Sequence, residues 1–97
     1  MLAEIASVTY DARMNSKHLK TLEAVFRDPV SGTLEWAAIE GLLLAAGCRM
    51  IEGNGSRVRF VMNGEVETFH RPHPEKEAKR YQVRAARAYL MRLGIVP

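Results

Sequence analysis

Two neighbouring segments hold most of the side chains able to act on an anion: Gly53-Asn54-Gly55-Ser56-Arg57-Val58-Arg59-Phe60-Val61-Met62-Asn63-Gly64 and Phe69-His70-Arg71-Pro72-His73-Pro74. Gly53 and Gly55 relax the backbone enough for amides to approach a bulky anion. Strand alternation then sends Val58, Phe60 and Met62 to one side, and Arg57, Arg59 and Val61 to the other. Two guanidinium groups therefore stand on one sheet face. Asn63-Gly64 is a strong hairpin signal, and the returning strand carries His70 at its end. Paired arginines near imidazoles suit a phosphodiester.

These residues sit in a chain of 97 residues, enough for one domain with a modest core. Hydrophobic residues make up 47% and charged residues 26%, the balance of an ordinary globular domain. The net charge of +3 is unevenly spread. Residues 1–48 carry four basic side chains against six acidic, whereas residues 49–97 carry ten against five. A basic half of this kind fits a polyanion or an acidic protein. Cys48 is the only cysteine, which excludes an intramolecular disulfide and a cysteine-based zinc site. No metal or cofactor is expected, and Cys48 reads as a small buried apolar residue in a reduced, cytoplasmic protein. No apolar run reaches the ~20 residues that cross a bilayer, and the opening residues lack the pattern of a signal peptide.

Residues 1–13 read as an amphipathic appendage with Leu2, Ile5 and Val8 at three-residue spacing, and residues 14–97 as a single domain. Asn15 or Ser16 caps a first helix over about Lys17–Arg27, which Asp28-Pro29 ends. A second helix runs from Trp36 or Ala37 to Ala46, with Gly47 after its end and Trp36 as a packing anchor. Strands are expected over Cys48–Glu52, Ser56–Met62 and Glu65–His70. Val66 and Phe69 cannot both face a core on strict alternation, which predicts a bulge or a strand end near Phe69. The last helix is expected over Glu75–Leu93, with Pro74 at its first position and Gly94 closing it. The sum is an α+β fold: a three-stranded antiparallel sheet with helices on one face.

The succession of a helix ending in Gly47, a strand, Gly55-Ser56, a hairpin, Pro72-His73 and a closing helix ending Leu93-Gly94-Ile95 resembles the HicA-type toxins of bacterial toxin–antitoxin modules. The likeness spans about Trp36–Ile95, and the opening Asn15-Ser16-Lys17-His18 helix resembles an extra helix of one branch. The resemblance implies a double-stranded-RNA-binding-like fold, metal-independent cleavage of mRNA, and silencing by a HicB-type antitoxin. The family pattern is Gly-Ser-His, with that histidine regarded as catalytic; this chain reads Gly55-Ser56-Arg57. Arginine stays protonated near neutral pH, so it clamps a phosphate but does not move protons. A catalytically silent RNA-binding or antitoxin-binding domain is the alternative reading.

Cleavage without a metal needs a base for the ribose 2′-OH, a cation for the transition state and an acid for the leaving 5′-oxygen, and histidine suits both proton transfers. His73 and His70 are the candidate catalytic residues. His73 is expected to lie beside the free amides of the last helix, and His70 beside Arg57 or Arg59 across the hairpin. His18, in the first helix, reads as a surface residue. Ser56, Arg57, Arg59 and Arg71 are the candidate phosphate-binding residues. A cross-strand partnership with Glu65 or Glu67 would instead make Arg57 and Arg59 an ordinary solvated strand.

Overall fold

The computed structural model describes residues 14–97, so the expected appendage at residues 1–13 lies outside the described residues. Their order is α1 (Ser16–Val25), α2 (Trp36–Ala46), β1 (Arg49–Glu52), β2 (Arg57–Met62), β3 (Glu65–His70) and α3 (Arg80–Arg92). The strands form one antiparallel sheet in the order β1-β2-β3. The architecture is α+β, as the hydrophobic pattern predicts.

Helix α1 begins where Asn15 satisfies it: its side chain accepts from the His18 amide at 2.9 Å, while His18 Nδ1 accepts from the Asn15 amide at 3.4 Å. His18 is thus a capping residue. Helix α2 ends on Gly47, whose φ of 114° is a left-handed conformation that disfavours a side chain. Asn63 and Gly64 both have positive φ, as a two-residue hairpin turn that matches strand twist demands.

One core joins the helices to the sheet. Val58, Phe60 and Phe69 are buried with Leu22, Val25, Ile39, Leu42, Leu43, Val83, Ala86, Tyr89 and Leu90. Trp36 packs on Phe69 with centroids 5.0 Å apart, and Phe60 meets Phe69 edge-on at 6.0 Å. Trp36 is the packing anchor the sequence predicts. Its ring nitrogen donates to Glu40 Oε2 at 2.7 Å.

Of the two outcomes expected near Phe69, the strand end is the one found: β3 pairs with β2 from Met62↔Glu65 through Arg57↔His70 without a bulge and ends at His70. Phe69 takes the core side, and Val66 is left on the opposite face, 46% exposed. The last helix begins at Arg80 rather than Glu75. The residues before it spend their backbone groups on the approach to α2 instead. The Trp36 amide donates to Lys76 O at 2.9 Å, the Ala78 amide donates to Leu34 O at 2.8 Å, and Glu35 and Glu77 form an isolated bridge. Pro74 is therefore not a first helical residue, and His73 does not stand at a helix N-terminus.

Candidate active site

Burial and register sort the sheet into two faces. Val58, Phe60, Glu67 and Phe69 start on the helix side, because Phe60 pairs with Glu67 and Val58 with Phe69. The other face carries Arg49 and Ile51 from β1, Arg57, Arg59 and Val61 from β2, and Val66, Thr68 and His70 from β3. Three rows cross it: Arg49–Val61–Val66, then Ile51–Arg59–Thr68, then Arg57–His70. Arg49, Arg57, Arg59, Thr68 and His70 are all exposed.

No carboxylate of the three strands lies on that face. Glu65 and Glu67 start on the helix side, where Arg92 of α3 donates to each at 3.0 Å. Glu52, opposite Val58, is also on the helix side and is held by Arg71. Neither Glu65 nor Glu67 is the cross-strand partner that would have neutralised Arg57 and Arg59. The open face keeps its positive charge.

Arg57 and His70 form the tightest kind of cross-strand pair. The Arg57 carbonyl is turned toward β1, where it accepts from the Gly53 amide at 2.9 Å, so its backbone makes no bond to β3. Residues facing each other at such a non-hydrogen-bonded position have Cα atoms about 4.5 Å apart, and their side chains come closest there. On the β1 side the chain packs closely against Arg57: a Cβ at Gly53 would lie 3.2 Å from both the Cβ and the carbonyl oxygen of Arg57, a tight contact. Gly55, with φ of 62°, completes the turn. Arg59 follows Arg57 on the same face at about 6.6 Å, two residues of strand rise.

Other expected site residues fall elsewhere. Ser56 and Arg71 meet one pair beyond Arg57 and His70, with the Arg71 amide donating to Ser56 O at 2.9 Å. Their side chains therefore begin on the helix side. The Arg71 guanidinium is already engaged. Its Nε donates to Glu40 Oε2 at 2.6 Å, Nη1 to Glu52 Oε1 at 2.7 Å, and Nη2 to Glu52 Oε2 at 2.9 Å. This fork holds the Glu52 carboxyl below its usual range and raises the Arg71 pKa further. Arg71 acts as a clamp tying the end of β3 to β1 and α2. His73 is exposed in the loop after β3, three residues past His70.

A second anchor for His70 comes from α3. Gln82 of α3, only 3% exposed, donates from Nε2 to the His70 carbonyl at 2.6 Å and accepts the Lys79 amide at 3.0 Å. Its signal in the sequence was position: Gln82, Ala86 and Tyr89 share the inward side of α3, where a polar residue must find a partner. Likewise Trp36 and Glu40, four apart on α2, mark one helix face and lead to Arg71. Among the described residues, no three His, Cys, Asp or Glu side chains converge so as to hold a metal ion.

Comparison with known families decides the affiliation. Residues 36–95 match the family described as HicA toxin of bacterial toxin–antitoxin, well over half of the chain. The chain belongs to the HicA toxin family. Neither a curated protein nor a solved structure matches it. The HicA match begins at Trp36, so α1 lies outside it, while all three strands and α3 lie within. Family membership implies an antitoxin partner for this HicA-family chain. No helix among its described residues is long and apolar enough to cross a membrane.

Proposed function

We propose that this HicA-family chain is a metal-independent endoribonuclease that cuts mRNA in the cytoplasm and is neutralised by a HicB-type antitoxin. The observation that supports the reading is the direct pairing of Arg57 with His70 on a sheet face free of strand carboxylates. Arg57 and Arg59 hold the scissile phosphate and its neighbour by charge-assisted hydrogen bonds. The His70 imidazole takes the proton from the ribose 2′-OH, and the freed oxygen attacks phosphorus. The Arg57 guanidinium offsets the negative charge that builds on the phosphorane. The P–O5′ bond then breaks, leaving a 2′,3′-cyclic phosphate and a 5′-oxygen that takes a proton. His73 is the candidate donor for that step, being the other imidazole near the end of β3.

The alternative is a silent RNA-binding or antitoxin-binding domain, and Arg57 in the place of the family's histidine is what favours it. One experiment separates the two. Purified protein is incubated in EDTA with a defined RNA and with the same RNA carrying 2′-O-methyl groups throughout. The nuclease reading predicts fragments ending in 2′,3′-cyclic phosphate from the first RNA and none from the second. Binding of both RNAs with no fragments would establish the silent domain instead.

A further inference from the structure

His70 owes its place to more than the strand ladder. As the last residue of β3 it lies opposite Arg57, whose carbonyl is turned toward β1, so the His70 carbonyl points away from the sheet. The peptide that joins it to Arg71 is nevertheless fixed at both ends. On the sheet side the Arg71 amide donates to Ser56 O at 2.9 Å, and on the helix side Gln82 Nε2 donates to His70 O at 2.6 Å. The preceding residue, Phe69, is held in register with Val58. With the backbone fixed on both sides of His70, the direction of its Cα–Cβ bond is fixed too. The exposed imidazole is left with only its own two side-chain rotations.

Gln82 is well placed to impose this. It is 3% exposed, and its Oε1 accepts from the Lys79 amide at 3.0 Å, so both polar atoms of the side-chain amide are bonded. Helix capping explains only half of the arrangement. A residue at the third helical position that accepts from the residue before the helix completes a capping box, and glutamate does that as well as glutamine. Glutamate would also bring a negative charge to the positive helix end, yet the first turn of α3 holds no acid. What glutamine adds is a donor, and that donor goes to His70.

We infer that Gln82 is a positioning residue for RNA cleavage: by holding the His70 carbonyl it aims the imidazole at the phosphate beside Arg57. The catalytic part of this inference rests on the nuclease reading; the hold on His70 does not. Buried as it is, Gln82 acts through His70, and a displacement of about 1 Å at a reacting group can cost about a hundredfold in rate.

The test uses the full chain. Gln82→Met keeps the length of the side chain and removes both bonds. In EDTA with saturating RNA, its single-turnover rate is expected to fall about 10–100-fold, with affinity for RNA unchanged. In nuclear magnetic resonance spectra of the free protein, the imidazole signals of His70 shift or broaden in the variant, while those of His18 and His73 do not. A general structural loss would weaken RNA binding or disturb all three imidazoles alike, and either result would overturn the inference. An unmoved His70 signal would overturn it whatever the rate, and so would a moved signal with an unchanged rate. A wild type that cuts nothing would overturn the nuclease reading and the catalytic role together, while the His70 signals would still establish or refute the hold. Gln82 is the chain's only glutamine, so its side-chain amide can also be read in the wild type, without depending on a folded variant. Its protons are expected to exchange with water far more slowly than those of exposed Asn54 and Asn63. Equally fast exchange would overturn the inference.

Discussion

Replacing His70 with alanine lowers the single-turnover rate of RNA cleavage by about 10²–10⁴-fold, the usual contribution of a positioned proton-transfer group. Affinity for RNA is expected to change little, because the proposed reading gives the phosphate to Arg57 and Arg59. The fold survives, because the His70 side chain is exposed and its structural duties are carried by its backbone. His73→Ala has the smaller effect. Its ring was expected beside helix amides, but α3 starts seven residues later, and no described bond orients it. Single-turnover assays in EDTA, paired with filter-binding measurements, check both variants. Equal rates for wild type and His70→Ala would remove His70 from the chemistry. A collapse in His73→Ala alone would transfer the role to the loop.

Arg71→Ala lowers stability by about 2 kcal/mol, since it removes the charge-assisted hydrogen bond to half-buried Glu40. Most of the cost falls at Glu40, which keeps only the Trp36 ring N–H, whereas Glu52 is open to water and rehydrates. The loss also frees the ends of β1 and β3, so on the nuclease reading cleavage is expected to fall with it. The acid side carries a second signature. The folded-state pKa of Glu52 is depressed by Arg71, so its contribution is complete above the unfolded carboxylate pKa and disappears as pH falls through the lower folded value. Urea denaturation from pH 7 down through the carboxylate range should show a shallower loss in Arg71→Ala than in the wild type. Parallel curves would mean that Glu52 draws no stability from Arg71.

The readable parts of this chain are those where local chemistry decides. Asn15, Gly47, Asn63-Gly64 and Gly94 mark turns and helix ends because few residues tolerate those conformations. The alternation of β2 placed Arg57 and Arg59 on one face for the same local reason. The start of α3 was not legible, since Glu75 and Glu77 satisfy the local preferences of a first turn. Backbone pairing of Lys76 and Ala78 with the approach to α2 overrides that preference, and such pairing leaves no mark in residue type. Arg71 illustrates the same limit at the site. Next to His70 it reads as a phosphate ligand, but Glu40 and Glu52, 31 and 19 residues away in sequence, claim it. The register that sets His70 opposite Arg57 follows from the two-residue turn at Asn63-Gly64, so that pairing was within reach of the sequence. The separation of every strand carboxylate from the open face needed the fold.

On the proposed reading RNA binds across the open sheet face, with His70 and Arg57 at the reacting phosphate. The most direct measurement is a nuclear magnetic resonance titration with an RNA made uncleavable by 2′-O-methyl groups at every position, following the imidazole and guanidinium signals. His70, Arg57 and Arg59 are expected to respond together at substoichiometric RNA, while Arg71 and Arg92, held by their carboxylates, stay still. Changes confined to Lys79, Arg80 and Arg84 on α3, with the His70 signal unmoved, would contradict it.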